Sequence, residues 1–360
     1  MWRKIFRVIG VIVGWGAIFA YIYFASLLVD KHRAEQSVEE VVITLSDSTA
    51  FSRFTTSEQV RKQLKRNGLT FEKENIDSVD VADIVDYISR NGYVKGVDAY
   101  VTYSGTLNVN IRHHEPVVRL LCGEANSYVT REGEVFRTPS GSSYYAMVVT
   151  GGYRPFVGTT FEGRAVVLCD SLLKRDDAKL AQLELTASEL KSERSECREA
   201  IKRLKKRNKK RRWEREETFR HRKVGIDASI AEHQETLTQI ASRQERLEVE
   251  RARIEKHQQR LNERYRDFSN LIAFVSRLED DSFWRAEIVQ FVADTLSTGE
   301  ISLRLVPRSG DFVVEFGTLD DSDAKLDKLH EFYEKGLSRM GWDRFSVIDI
   351  RYDKQVICTE

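Results

Sequence analysis

Between Leu172 and about Arg266 the chain carries one glycine, no proline and dense charge. A stretch this poor in turn formers reads as helix almost throughout, which limits the fold more than any other feature. Leu180, Leu183, Ala187, Leu190, Cys197, Ile201 and Leu204 fit one heptad frame. Ile230, Leu237, Ile240, Leu247, Ile254, Leu261, Tyr265 and Phe268 fit a second. Gly225-Ile226-Asp227 lies between them, and Asp227 or Ser229 is a candidate N-cap for the second arm. The pattern predicts an antiparallel coiled-coil hairpin over 171–267, with arms of about 45 residues reaching roughly 65 Å. Its seam weakens where Asn208, Arg211 and Arg215 take core-type positions.

A second constraint lies near the N-terminus. Val8 to Val29 is an uncharged run of 22 residues, about 33 Å as a helix and long enough for a bilayer core of roughly 30 Å. It exceeds the apolar core of a secretory signal peptide, and no small-residue cleavage site follows it. Arg3, Lys4 and Arg7 precede it and mixed charges follow, which favours a cytoplasmic tail at 1–7 and an exported body. The expectation is a single-pass protein of the inner membrane with its bulk in the periplasm.

Two globular patterns flank the helical stretch. Residues 38–46 read as a strand; Thr55 to Asn67 and Asp80 to Arg90 read as amphipathic helices. The alternation from Val97 to Tyr103 and from Leu107 to Ile111, around Ser104-Gly105, reads as a hairpin. Together they predict a small α+β domain over 37–114. Residues 117–168 look all-β, and short strands at Ile301–Val306 and Phe312–Phe316 follow the hairpin. Phe283 to Val292 reads as an amphipathic segment and Asp323 to Met340 as a helix. Phe345 to Ile350 and Tyr352 to Cys358 close the chain with β-rich sequence. The helical hairpin is therefore an insertion within a β-rich domain spanning 115–360.

No motif writes an enzyme. The chain lacks G-x-S-x-G, H-E-x-x-H and a phosphate-binding glycine loop. His113 and His114 are adjacent on a strand and point to opposite faces, so they do not chelate one ion together. Asp280-Asp281 precedes Phe283-Trp284 as a helix cap. Cys122, Cys169, Cys197 and Cys358 show no C-x-x-C spacing; disulfides and buried free thiols both remain open. No cofactor or metal is expected. The net charge of +1 gives no long-range basic field, so no nucleic-acid partner is expected either. Charge is nevertheless local: Lys202, Arg203, Lys205, Lys206, Arg207, Lys209, Lys210, Arg211 and Arg212 fall within eleven residues. Residues 174–223 hold nineteen basic and ten acidic side chains, against eight and nine in 227–267. The second arm cannot neutralise the first, which makes the run a candidate contact for an anionic surface or acidic partner.

The order of parts resembles the FtsQ/DivIB family of bacterial division proteins. The small domain resembles their POTRA domain, and Ile111-Arg-His-His-Glu-Pro116 is similar to the motif closing it. Tyr128 to Gly133 is similar to a family turn, with Thr130-Arg131 where an acidic residue is common. Phe283-Trp284, Leu305-Val-Pro-Arg308, Lys325-Leu326, Phe332-Tyr333 and Asp349-Ile-Arg-Tyr352 resemble the β-domain signature, in versions most like those of Bacteroidetes. The resemblance covers about 1–168 and 268–360; the coiled-coil insertion departs from it.

The resemblance implies a non-enzymatic divisome scaffold at the septum. It would bind the coiled-coil division proteins FtsB and FtsL through C-terminal strands and so regulate the septal peptidoglycan synthase complex. By motif match Arg351 and Tyr352 are the partner-binding candidates, with Lys354 on the face of Tyr352. An exposed edge strand and an amphipathic tyrosine fit such a role on physical grounds. The alternative is a periplasmic adaptor of an efflux or secretion system that docks through the hairpin. Such adaptors resume with a glycine-flanked strand after the hairpin, whereas here helix-forming sequence continues from Phe268 to Leu278.

Overall fold

The computed structural model describes residues 14–26, 36–46, 54–137, 143–342, 344–353 and 355–360. The predicted tail at 1–7, both ends of the apolar run (8–13 and 27–29) and Lys354 lie outside them. Within the run, residues 14–26 form a helix, α1, whose side chains are exposed except for half-buried Ala25. Among the described residues no helix is long and apolar enough to cross a membrane.

The small domain starts from its caps. Thr56 Oγ1 accepts the Gln59 amide and the Thr56 amide donates to Gln59 Oε1, a reciprocal capping box that opens α2 (Ser57–Arg66). Asp80 accepts the Ala82 amide and opens α3 (Val81–Ser89). Three strands, β1 (Glu40–Leu45), β2 (Val94–Val101) and β3 (Thr106–His113), pair in the order β1-β3-β2. Val60, Leu64, Ile84 and Ile88 from the helices bury against Val41, Leu107, Val109 and Ile111 from the sheet.

A ten-stranded sheet forms the larger body. Its first block is β4 (Pro116–Cys122), β5 (Ser127–Thr130), β6 (Glu134–Phe136), β7 (Met147–Gly151) and β8 (Gly163–Arg164). Its second is β9 (Ile288–Thr295), β10 (Ile301–Pro307), β11 (Val313–Gly317), β12 (Val347–Asp349) and β13 (Ile357–Thr359). The order is β13-β12-β11-β10-β9-β7-β4-β5-β6-β8, so the two blocks join where β7 and β9 run parallel. Gly151 completes the join. At its φ of +104° a Cβ would stand 2.4 Å from the Ala293 carbonyl oxygen, so the strands approach this closely only at glycine.

The insertion consists of α4 (Ala165–Arg207) and α5 (Glu216–Asp280). His257 Nδ1 lies 2.6 Å from Asp176 Oδ2, Arg194 donates to Gln244 at 3.1 Å and Asn208 to Asp227 at 2.7 Å, a descending register that makes the pair antiparallel. The expected turn at Gly225-Ile226-Asp227 does not form; the chain reverses at 208–215 instead. Gly225 sits inside α5, at a cost of about 1 kcal/mol relative to alanine. Half-buried Phe219, Arg222 and Ile226 extend the seam through it and offset that cost. Asp227 is not a cap but the partner of Asn208, and Ser229 donates back to the Gly225 carbonyl. Ala187 is exposed while Thr186 is half-buried in its place.

The helices also overrun the expected limits of 171–267. α4 follows β8 directly, and α5 continues to Asp280 because its last turns belong to the domain core. Phe268, Leu271, Ile272, Phe274, Val275 and Leu278 bury there with Phe291, Leu303, Leu305 and Phe316. The segment from Phe283 to Val292 divides into a short helix, α6 (Ser282–Glu287), and β9. Pairing with both β7 and β10 holds Ile288 onward extended. The predicted helix at 323–340 forms as α7 (Ser322–Phe332), loosens into a π turn at Tyr333–Leu337 and ends as α8 (Ser338–Met340).

The small domain meets the sheet through rings. Phe54 stacks on Tyr144 at 5.0 Å and packs edge-on to Tyr128 and Phe136, with Tyr93 and His113 alongside. His114 stacks on Phe136 at 5.5 Å. The two histidines thus lie in aromatic packing on either side of the strand end.

Candidate partner-binding edge

The sheet ends on β13, and the segment leading into it carries the candidate residues. β12 pairs parallel with β11 on one side and antiparallel with β13 on the other. Between β12 and β13 the chain leaves the ladder, so Arg351 and Tyr352 stand in a turn rather than on the edge strand where the sequence pattern puts them.

The reason is local chemistry at Asp349. Its Oδ1 accepts the Arg351 amide at 3.0 Å, a side-chain turn that competes with strand pairing. The Arg351 guanidinium then grips the same carboxylate, Nε to Oδ1 at 2.9 Å and Nη2 to Oδ2 at 2.6 Å. That bond holds the Asp349 carboxyl below its ordinary value, against a smaller upward push from burial, and raises the arginine. From α7, Lys328 donates to the Ile350 carbonyl at 2.8 Å and to the Tyr352 carbonyl. Gly317 leaves room for this arrangement: a Cβ there would lie 2.9 Å from Arg351 Cγ.

The pinned turn presents Tyr352 outward, with 47% of its surface exposed. Beyond it, Cys358 packs on the core while Ile357, 42% exposed, faces away. Sequence alternation carries a signal for Ile357, since it neighbours the inward Cys358. Arg351 is committed to Asp349 and shapes the turn; Tyr352 and Ile357 are the apolar surface on offer.

The nine basic residues of the run at 202–212 come together at the far end of the insertion. Lys202, Arg203, Lys205, Lys206 and Arg207 form the last turns of α4, and Lys209, Lys210, Arg211 and Arg212 form the reversal. The hairpin thus separates them from the sheet by about 64 Å, the length of the 43-residue α4. The acidic pair at the root is divided in task. Asp281 accepts the amides of Phe283 and Trp284 and caps α6, while Asp280 forms two 2.7 Å bonds with Arg131. Arg131 thus pairs across to the end of α5. All four cysteines are free thiols, and burial pushes Cys122 up to about 11. Among the described residues no group of three or more His, Cys, Asp or Glu could hold a metal ion.

Residues 36–112 match the family model for a POTRA-like domain. Residues 231–359 match the model described as FtsQ/DivIB, C-terminal related. Together the two matches support assigning the chain to the FtsQ/DivIB family. That assignment implies a role in cell division, with other division proteins as the general class of partner. The FtsQ/DivIB match begins within α5 and runs through β13, so it takes in most of the second hairpin arm and the whole candidate edge. No curated protein matches the chain.

Proposed function

We propose that this chain is a non-enzymatic divisome scaffold that captures FtsB- and FtsL-type coiled-coil proteins at the C-terminal edge of its sheet. Through that contact it helps control septal peptidoglycan synthesis. The run from Val8 to Val29 anchors it in the inner membrane, with the tail at 1–7 cytoplasmic and the bulk periplasmic at the division septum. The exposure of α1's apolar side chains supports the anchor.

One observation carries the reading: the sheet terminates on β13 beside a turn pinned from three sides. An incoming strand gains main-chain hydrogen bonds from an unpaired edge, and side chains next to that edge supply selectivity. Because Asp349, Arg351 and Lys328 already fix the turn, Tyr352 loses little freedom on binding. Preorganised aromatic anchors of this kind dominate interface energetics. Lys354, the third candidate by sequence, would add a positive charge for an acidic partner. The adaptor reading has weaker support, since α5 runs unbroken to Asp280 and passes directly into α6 and β9.

Tyr352→Ala tests the proposal. It is expected to weaken binding of a purified FtsB-type partner about tenfold or more, as for an interface anchor. The thermal unfolding midpoint should stay put, because the side chain is half out in solvent. Unchanged affinity in that titration refutes the edge as the binding site.

A further inference from the structure

The hairpin's reversal is a built loop. From α5, the Arg222 guanidinium donates to the carbonyls of Arg207 and Lys209 and pairs with Glu214 at 2.7 Å. Glu214 in turn accepts the Arg211 amide at 3.1 Å, and Lys210 pairs with Glu216. Held this way, the loop presents Trp213 at its apex, 92% exposed and more so than any other large apolar side chain among the described residues. The ring serves no packing role in the fold.

Charge around the tryptophan sorts into two sets. Arg222, Lys210 and Arg220 have acidic partners. Lys209, Arg212 and Arg215 form no side-chain ion pair among the described residues, Arg211 lies near enough to Glu214 to help lower its carboxyl, and all four are exposed. From Lys209 back along α4, Arg198, Lys202, Lys205 and Lys206 line a shallow groove of about 400 Å³ with it and Ile201.

We propose that the hairpin tip is a membrane-surface contact, in which Trp213 seats among the headgroups of an anionic phospholipid bilayer and Lys209, Arg211, Arg212 and Arg215 bind their phosphates. Tryptophan settles at the water–hydrocarbon boundary, where its ring is half apolar and its N–H stays wet. Each cation held at such a surface raises partitioning roughly fivefold. A single-stranded nucleic acid is the competing anion. It calls for a groove that tracks a backbone and for successive aromatic platforms. The tip instead offers one free ring, since Phe219, the next aromatic, is half-buried under Arg222. One apolar apex ringed by cations at the end of a long rod fits a broad flat surface. This contact is independent of the C-terminal edge, and its hairpin would act as a strut of set length between the sheet and a bilayer.

The test uses the full chain in phosphatidylcholine nanodiscs, mixed with vesicles of phosphatidylglycerol and phosphatidylcholine or of phosphatidylcholine alone. A second arm places the anionic lipid in the disc itself. Brominated acyl chains report on Trp213 by quenching, read as the difference from Trp213→Phe. Quenching is expected with anionic lipid in either arm and not with phosphatidylcholine alone. Reversing Lys209, Arg211, Arg212 and Arg215 to glutamate should lower vesicle partitioning at least about a hundredfold at low salt, with helical circular dichroism unchanged. Absence of quenching in both arms overturns the proposal, as does equal quenching in zwitterionic lipid. Release of bound anionic vesicles by an equimolar single-stranded oligonucleotide would reassign the tip to nucleic acid.

Discussion

The hairpin and the sheet solve burial differently. In the sheet, Phe291, Leu303, Leu305, Val314 and Phe316 are wholly enclosed, with neighbours on several sides. Along the hairpin beyond its root, the buried apolar residues are Leu190, Ile201, Ile240 and Ile254, and polar side chains interrupt their seam. Asp176 is 3% exposed at the interface and meets His257 and Lys179; Arg194 meets Gln244. A single seam with water on its flanks gains little per residue, so such an element opens locally at a lower free energy than the core to which it is rooted. Rigidity in the hairpin thus comes from its root and from register-setting polar pairs, whereas the sheet draws it from packing density.

Cavity substitutions should separate the two regions most strongly. Phe291→Ala removes a fully buried ring that packs on Phe274 of α5. It should cost about 3–5 kcal/mol and lower the denaturant midpoint of the whole larger body. Ile240→Ala should cost about 2 kcal/mol, near the low end for such truncations, and speed amide exchange in the hairpin alone. If both variants loosen the sheet equally, the two regions are one cooperative unit and the contrast fails.

Acid should sharpen it. Burial alone would push the Asp176 carboxyl up, but hydrogen bonds from His257 and Lys179 outweigh it and hold the group below its ordinary value of 3.8. The ionised form therefore stabilises the hairpin fully above that value, and the contribution disappears as pH falls through the lower folded-state value. Relative to Asp176→Asn, the native chain should hold extra helical stability at neutral pH that shrinks below about pH 4. A gap that stays constant on acidification would mean that Asp176 is only a packing residue. The smallest effect belongs to Arg131→Ala. Its pair with Asp280 is well exposed on both sides, and exposed pairs contribute little. Its unfolding midpoint should fall within the scatter of repeated scans.

What could be read in the sequence was local. Asp281 caps the helix that its spacing announces, because capping needs only neighbouring atoms. Gly225 misled for the same reason: its local preference for a turn lost to a seam that continues through Arg222 and Ile226. Asp176 and Arg194 occupy the seam but carry no apolar heptad signal. The parallel pairing of Val148–Thr150 with Gln290–Val292 joins segments far apart in the chain and leaves no short-range trace. At the edge, the motif drew notice to Arg351 and Tyr352 but did not reveal the Asp349 turn that lifts them out of the ladder. Trp213 leaves no sequence signal, because one aromatic residue among charges has no period.

The root of the hairpin is tied to the sheet by the first turns of α4 and the last turns of α5. Everything beyond can therefore lengthen or shorten without disturbing a single strand. Inserting seven residues in each arm would advance the apex by about 10 Å and return the same stripe to the interface. The arms thus set the reach of the apex in whole steps, while the sheet at the root stays as it is.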